Sequence, residues 1–274
     1  ELSHVKHTTA DLDAARAVRE ANINIHTEES QAERLETWRE LIATAVDGEA
    51  TLYADEPPEG NPAEPGEAPV QVANALTKML DDAREEVLVV SAYLIPTPQL
   101  EGAVARAVER GVRIRMLTNS IRSNNHLTAH SAYRNHIRGL LDSGAELHEV
   151  RIDADDRHIY MLSPIEKKQL ALHAKALVID DDKVFIGSAN LDPRSLRINT
   201  EMGLLIESEA LNAEVRSAVT PDFSQTNAWQ LALDEKGEVI WVSHDVILTE
   251  QPAGSMLQRI EDWFFSHLPL EDEL

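Results

Sequence analysis

Between Leu172 and Asn190 the chain reads LHAKALVIDDDKVFIGSAN, two apolar runs joined by an acidic turn. His173 and Lys175 are two residues apart, so on an extended strand both side chains leave the same face. With Asp181 and Asp182 as the central residues of a two-residue turn, Asp180 faces Lys183. That register sets Lys175 against Ser188 and His173 against Asn190, with cross-strand neighbours about 5 Å apart. An imidazole, a cation, a hydroxyl and an amide then share one patch. Gly187 removes a side chain beside it, admitting a ligand or another backbone. Such a set suits a tetrahedral phosphoryl centre. It offers an attacking nitrogen, a cation and neutral donors for the non-bridging oxygens, and needs no metal or cofactor. The competing reading is a buried strand pair with polar ends, but four spacings would then have to coincide by chance.

The segment fits H-x-K-x4-D-x6-G-S-x-N throughout, and on it the chain is identified as a member of the phospholipase D superfamily. Ser91-Ala-Tyr-Leu-Ile-Pro-Thr97, Leu117-Thr-Asn-Ser120, Ala129-His130 with Tyr133, residues 191–203, and Trp229 with Trp241 resemble the bacterial cardiolipin synthases, particularly the cardiolipin synthase C branch. The likeness is strong over residues 85–242 and loose in the N-terminal third. It implies that His173 is a nucleophile or a general acid, that Lys175 and Asn190 hold the phosphate, and that Ser188 is a supporting hydroxyl. Glu201 lies at the position of the acid that orients the catalytic imidazole. A physical argument agrees: an imidazole attacking through one nitrogen needs the proton on the other held, and a carboxylate does this best. The alternative for Glu201 is an ion pair with Arg194 or Arg197. Asp180 reads as a structural turn anchor. His130 and Asn119 are weaker candidates for lining the pocket, and for His130 a plain helix-surface position competes. A second match to H-x-K-x4-D, from His4 to Asp11, lacks the following Gly-Ser-x-Asn and is set aside.

The resemblance further implies phosphatidyl transfer between phospholipids through a phosphohistidine, yielding cardiolipin. Alternatives are a phosphodiesterase using water as acceptor, and an incomplete half that needs another chain. Family enzymes use two such motifs and this chain has one complete copy, resembling a second half. An upstream domain carrying its own motif is expected before Glu1, in preference to a homodimer partner. Phospholipids are the expected substrates, met by peripheral contact at the cytoplasmic face of the bacterial inner membrane.

These residues need a scaffold, and the apolar periodicity supplies one. Helical patterns cover residues 70–84, 100–110, 130–143 and a stretch from Glu209, alternating with strand patterns at 86–93, 112–118, 145–150 and 200–207. The expected class is α/β: a phospholipase D-like domain over residues 70–220, with a mixed, largely parallel sheet flanked by helices. Before it, residues 1–54 read as a helical extension, and residues 55–69 as a Pro- and Gly-punctuated loop or linker. Residues 153–169 read as a loop near the site. After the domain, residues 221–274 read as a hairpin and an amphipathic helix, which lies on a membrane or packs on the sheet. Its acidic tail opposes contact with anionic lipid.

Composition narrows the classes. The 274 residues hold 25 Lys and Arg against 48 Asp and Glu, a formal charge of −23. Nucleic-acid affinity rests on basic residues displacing counterions, so this charge argues against a protein whose main business is gripping phosphate backbones, and no nucleic-acid partner is expected. The acidity reads as a solvated surface of the kind a salt-adapted organism carries. Absence of cysteine removes disulfides, thiolate metal sites and cysteine nucleophiles. No apolar run approaches the ~20 residues that span a bilayer.

Overall fold

Apolar residues at helical spacing bury one face of the helices over residues 71–82, 98–109 and 127–142, and near-continuous apolar strands lie between two helical layers. The computed structural model describes residues 13–14, 16–17, 31–57, 70–124, 126–162 and 165–268. Most of the Pro- and Gly-rich stretch, the His4 motif and the acidic tail lie outside them. Two compact units are present, Glu1–Val46 and Asp47–Leu274. The first contains helix α1 (Gln31–Ala43).

The second unit begins with β1 (Glu49–Ala54), α2 (Gln71–Asp82), β2 (Glu86–Ser91), α3 (Pro98–Glu109), β3 (Arg113–Asn119), α4 (Leu127–Asp142) and β4 (Glu146–Val150). It continues with α5 (Arg157–Tyr160), β5 (Lys175–Ile179), β6 (Lys183–Gly187), α6 (Pro193–Arg197), β7 (Met202–Glu207) and α7 (Glu209–Val219). The chain closes with β8 (Ala228–Leu233), β9 (Val239–Val242), β10 (Ile247–Leu248) and α8 (Met256–Phe265). The strands form one sheet in the order β1-β7-β6-β5-β2-β3-β4-β8-β9-β10.

The sheet is mixed, but the expected parallel majority is corrected. Only β2 with β3 and β3 with β4 run parallel; every other described pair is antiparallel. The two parallel pairs are those whose consecutive strands are joined by a crossover helix, α3 between β2 and β3 and α4 between β3 and β4. β1 is a second correction, because Glu49–Ala54 was read as the end of the helical extension and instead pairs with β7 as an edge strand.

One face of the sheet packs Val87, Val89, Ile114 and Met116 against Leu76 and Leu80 of α2, Leu100 and Val104 of α3 and Ile137 and Leu140 of α4. The other places Leu88, Val90, Leu117 and Val178 against Phe223, Val215 and Val219. Thr97 caps α3 by accepting the Leu100 N–H, and Pro98 opens the helix with φ already suited to it. Gly187 and Gly203 oppose each other across β6 and β7. A Cβ on Gly187 would meet the Met202 carbonyl oxygen at 2.7 Å, and one on Gly203 would overlap the Phe185 ring. The missing side chain at Gly187 thus makes room for a neighbouring backbone.

Neighbours on β4 carry opposite pH dependences. Burial, then the nearby Arg115 guanidinium, lowers the His148 imidazole to about 4. Burial raises the Glu149 carboxyl to about 7, although Trp241 Nε1 donates to it at 3.1 Å. The His148 contribution to stability is present above pH 6.5 and is lost as pH falls through about 4. The Glu149 contribution is present below pH 4.5 and is lost as pH rises through about 7. Glu149→Gln keeps an acceptor for Trp241 and removes the buried charge. It is expected to stabilise the protein by about 1–3 kcal/mol at pH 8 and by little at pH 5. Urea unfolding at both values checks this, and an equal gain at both would assign the effect to packing.

Candidate active site

The hairpin that carries the motif is set by Asp180. This residue adopts a left-handed φ of 46°, and its buried carboxylate accepts the backbone N–H groups of Arg84, Glu85 and Glu86 at 2.8 to 3.2 Å. Asn212 of α7 donates to the carbonyls of Ile179 and Lys183 on either side of the turn, at 3.0 and 2.8 Å. Asp180 therefore fastens the turn to the start of β2. The turn contains three residues rather than two, because Ile179 pairs with Lys183 and Ala176 with Ile186. The expected register is off by one. Continuing the observed ladder sets Lys175 against Gly187, so Ser188 and Asn190 reach the site by a different route.

That route is the departure of the chain from the sheet after Gly187. Ser188 donates its N–H to the Met202 carbonyl at 2.9 Å, its hydroxyl to the Glu201 carboxylate, and accepts the Met202 N–H at 3.1 Å. Leu191 is pinned to the segment after β2: its N–H reaches the Ser91 hydroxyl and the Tyr93 carbonyl, both at 3.2 Å, and its carbonyl accepts from Ile95. Asn190, between these anchors, is half-buried beside the Asp192 carboxyl, and its Oδ1 is buried without a hydrogen-bond partner.

Lys175 is half-buried, and its ammonium donates to the His173 carbonyl at 3.3 Å. Burial pulls its pKa below the ordinary lysine value, while the negative charges of Asp192 and Glu201 oppose that shift. Burial raises the Asp192 carboxyl, against the N–H of Ser195, to which it is the cap of α6, and with Glu201 adding repulsion. Lys175, Ser188, Asn190, Asp192 and Glu201 therefore share one electrostatic neighbourhood. His173 is exposed just before β5, and its ring makes no hydrogen bond among the described residues. An apolar cavity of about 380 Å³ opens beside it, walled by Val90, Leu117, Leu170, Leu172 and Val219. The site stands at the C-terminal ends of the parallel strands β2 and β3, where open α/β sheets place their ligands.

A family model described as "Cardiolipin synthase, PLD-like domain" matches residues 76–222. The chain belongs to the phospholipase D superfamily. It is 35% identical over 204 residues to cardiolipin synthase C of Escherichia coli, an alignment covering 72% of this chain and 42% of that protein. It is 29% identical over 144 residues to the minor cardiolipin synthase ClsB of Bacillus subtilis, covering 53% of this chain and 31% of that protein. The chain thus spans less than half the length of these relatives. Among solved structures it is similar to the phospholipase D family member Nuc of Salmonella typhimurium, with a TM-score of 0.47, 18% identity and coverage of 66% of this chain and 97% of that one. It is also similar to phosphatidylserine synthase of Haemophilus influenzae, with a TM-score of 0.49, 16% identity and coverage of 72% and 45%.

Two of the weaker candidates in this phospholipase D-superfamily chain have other places. Asn119, 2% exposed, does not line the pocket by presenting its side chain to a ligand. Its amide oxygen accepts the Leu172 N–H at 2.8 Å and its nitrogen donates to the carbonyls of Leu172 and Ala92 at 2.9 and 3.0 Å. It braces the backbone next to His173. His130, 0% exposed, is neither a pocket residue nor a helix-surface one: Nδ1 lies 2.9 Å from the Asp262 carboxylate in a buried contact between α4 and α8. Glu201 forms no ion pair with Arg194 or Arg197 among the described residues and no hydrogen bond to His173; its carboxylate accepts from Ser188 and from Asn199, the latter at 3.1 Å.

Two residues escaped the sequence reading. Asp55 accepts the N–H groups of Glu201 and Val72, each at 2.9 Å, and donates its own N–H to the Glu201 carbonyl at 2.8 Å. Nothing local signals that clamp, since its partners are brought by β7 and α2. Asp192 was legible, because Asp-Pro before a short helical run marks a cap with proline at the first helical position. Among the described residues no cluster of three His, Asp or Glu side chains could hold a metal ion, and no helix is long and apolar enough to cross a membrane.

Proposed function

We propose that this chain carries one half of a phosphatidyl-transfer site that works through a phosphohistidine and produces cardiolipin. The observation that best supports this reading is the gathering of Lys175, Ser188, Asn190 and Glu201 at the end of the sheet that presents the unbonded ring of His173. In the proposed step a histidine nitrogen attacks the phosphorus of the donor phospholipid. The bond from phosphorus to the headgroup oxygen breaks, and that oxygen takes a proton from a second histidine. Lys175 and the Asn190 amide hold the non-bridging oxygens as charge builds on them. The hydroxyl of phosphatidylglycerol then attacks the phosphorus, the bond from phosphorus to the histidine nitrogen breaks and returns its electron pair to the ring, and the hydroxyl proton passes back to the second histidine. Water in place of that hydroxyl would release phosphatidic acid, the hydrolytic alternative.

One imidazole cannot attack phosphorus and protonate the departing oxygen at the same moment. His173 fills one of the two roles, and a second His-x-Lys motif fills the other, from an upstream domain in preference to a twofold copy. Phospholipids reach the site from the cytoplasmic face of the inner membrane, by peripheral contact. The test combines light scattering with product analysis on one sample, using phosphatidylglycerol and a soluble phosphodiester. The chain as a monomer is expected to be nearly inactive, and an assembly with the second motif is expected to form cardiolipin. A fully active monomer refutes the two-histidine account, an active dimer overturns the preference for an upstream domain, and phosphatidic acid as sole product assigns hydrolysis.

A further inference from the structure

Arg122, Arg157, Lys167 and Lys168 line an open cleft of about 540 Å³, together with Asn124 and Gln169. None of the four cations forms an ion pair among the described residues, in a chain where acidic residues outnumber basic ones 48 to 25. Arg157 is occupied in shaping the cleft: its guanidinium donates to the carbonyls of Ile152, Glu166 and Lys168. Lys167 and Lys168 are exposed, and neither ammonium forms an ion pair among the described residues. In a protein of charge −23, one concavity thus gathers four cations, of which Arg122 lies within electrostatic reach of a nearby carboxylate, Asp153.

The cleft is joined to both the motif and α8. Gln169 donates to the Arg122 carbonyl, and His173 follows four residues later, a span of at most about 14 Å. On the other side Gly254 and Gln258, at the start of α8, complete the wall, and Gln258 donates to the Ile121 carbonyl at 2.9 Å. α8 is docked inside out. It buries Asp262, at 0% exposure, against His130 and Ser131, and turns Met256 and Leu257 to solvent at 77% and 63% exposure, with Ile260, Trp263 and Phe264 also exposed. The helix is thus held to the body by its acid, with Gln258 on the cleft side and Leu257 next to it turned outward, while Met256, Ile260 and Trp263 line a separate cavity with Arg134, Arg138 and Arg259.

We propose that this cleft binds the phosphate of a second anionic phospholipid, the one that accepts the phosphatidyl group, while its acyl chains leave over the exposed face of α8. The proposal rests on the phosphatidyl-transfer reading above for the role of that lipid, and on the cleft alone for its binding. The full chain is tested by cosedimentation with vesicles of phosphatidylglycerol or of phosphatidylcholine, wild type beside the Arg122→Gln, Lys167→Gln, Lys168→Gln triple variant. The wild type is expected to prefer phosphatidylglycerol, and the triple variant to lose about 100-fold in affinity for it, the scale set by three basic residues near an anionic surface. Circular dichroism confirms that the variant is folded. Met256→Ser with Leu257→Ser is expected to weaken binding while keeping the preference between lipids. Glycerol 1-phosphate and inorganic phosphate are added as competitors. Failure of both at millimolar concentration supports a lipid ligand, and displacement by either at micromolar concentration assigns a soluble phosphate instead. Equal affinity for the two vesicles, or an unaffected triple variant, overturns the proposal. Binding is read without turnover, so a chain that selects phosphatidylglycerol through the cleft but transfers nothing in any assembly refutes the functional reading and leaves the cleft standing.

Discussion

His173→Ala is expected to leave less than about a hundredth of wild-type turnover in any assembly that contains the second motif. If His173 is the nucleophile, its loss removes the nitrogen that forms the phosphohistidine, and the alanine methyl offers no replacement. If it is the general acid, the headgroup must leave as an unprotonated alkoxide, and losing such a group costs about 10²–10⁴ in rate. Both roles predict a deep loss, and they differ in what accumulates: a nucleophile variant forms no labelled phosphoenzyme, whereas an acid variant still labels with a donor whose leaving group is already acidic. The fold should be untouched, since the ring is exposed and makes no hydrogen bond among the described residues. An unchanged melting temperature with lost turnover is therefore expected, and activity above a hundredth removes His173 from the chemistry.

Glu201→Gln is expected to lower the rate by roughly two to four orders of magnitude, the scale seen when the carboxylate that orients a catalytic histidine is replaced by an amide. The backbone at this position is held independently, because Asp55 takes the N–H of residue 201 and donates to its carbonyl. The substitution thus alters charge at the site and leaves the strand in place. A carboxylate accepts from both Ser188 and Asn199; an amide can accept from only one side and turns a donor towards the other. If Glu201 sets the histidine proton in the complete site, the loss falls on kcat and the pH profile shifts with it. An unchanged rate would reduce Glu201 to a structural partner of Ser188.

The family motif was legible in the linear order of residues, because it depends on side-chain types at short spacing. His173 with Lys175, Gly187 with Ser188 and Asn190, and the alternation of apolar periods around them are local properties, and the elements between residues 70 and 265 follow that alternation closely. Capping and turn residues such as Thr97, Pro98 and Asp192 were equally local signals. The register of the hairpin was not. A two-residue turn fits Asp181 and Asp182 as well as a three-residue one, and the choice is made by backbone donors about 95 positions away that draw the Asp180 carboxylate to β2. The same limit explains Asn119, whose partner at Leu172 is 53 residues distant, and His130, whose partner Asp262 is 132 distant. A polar residue in isolation reads as exposed or reactive, and only packing shows that its hydrogen bonds are already satisfied inside. β1 follows the same rule, being six residues with no period of their own that become a strand because β7 presents an open edge. Residue types at short range spell the motif; long-range pairing decided which of those residues stand at the end of the sheet and which hold the frame, because a buried polar group takes whatever partner the fold brings to it.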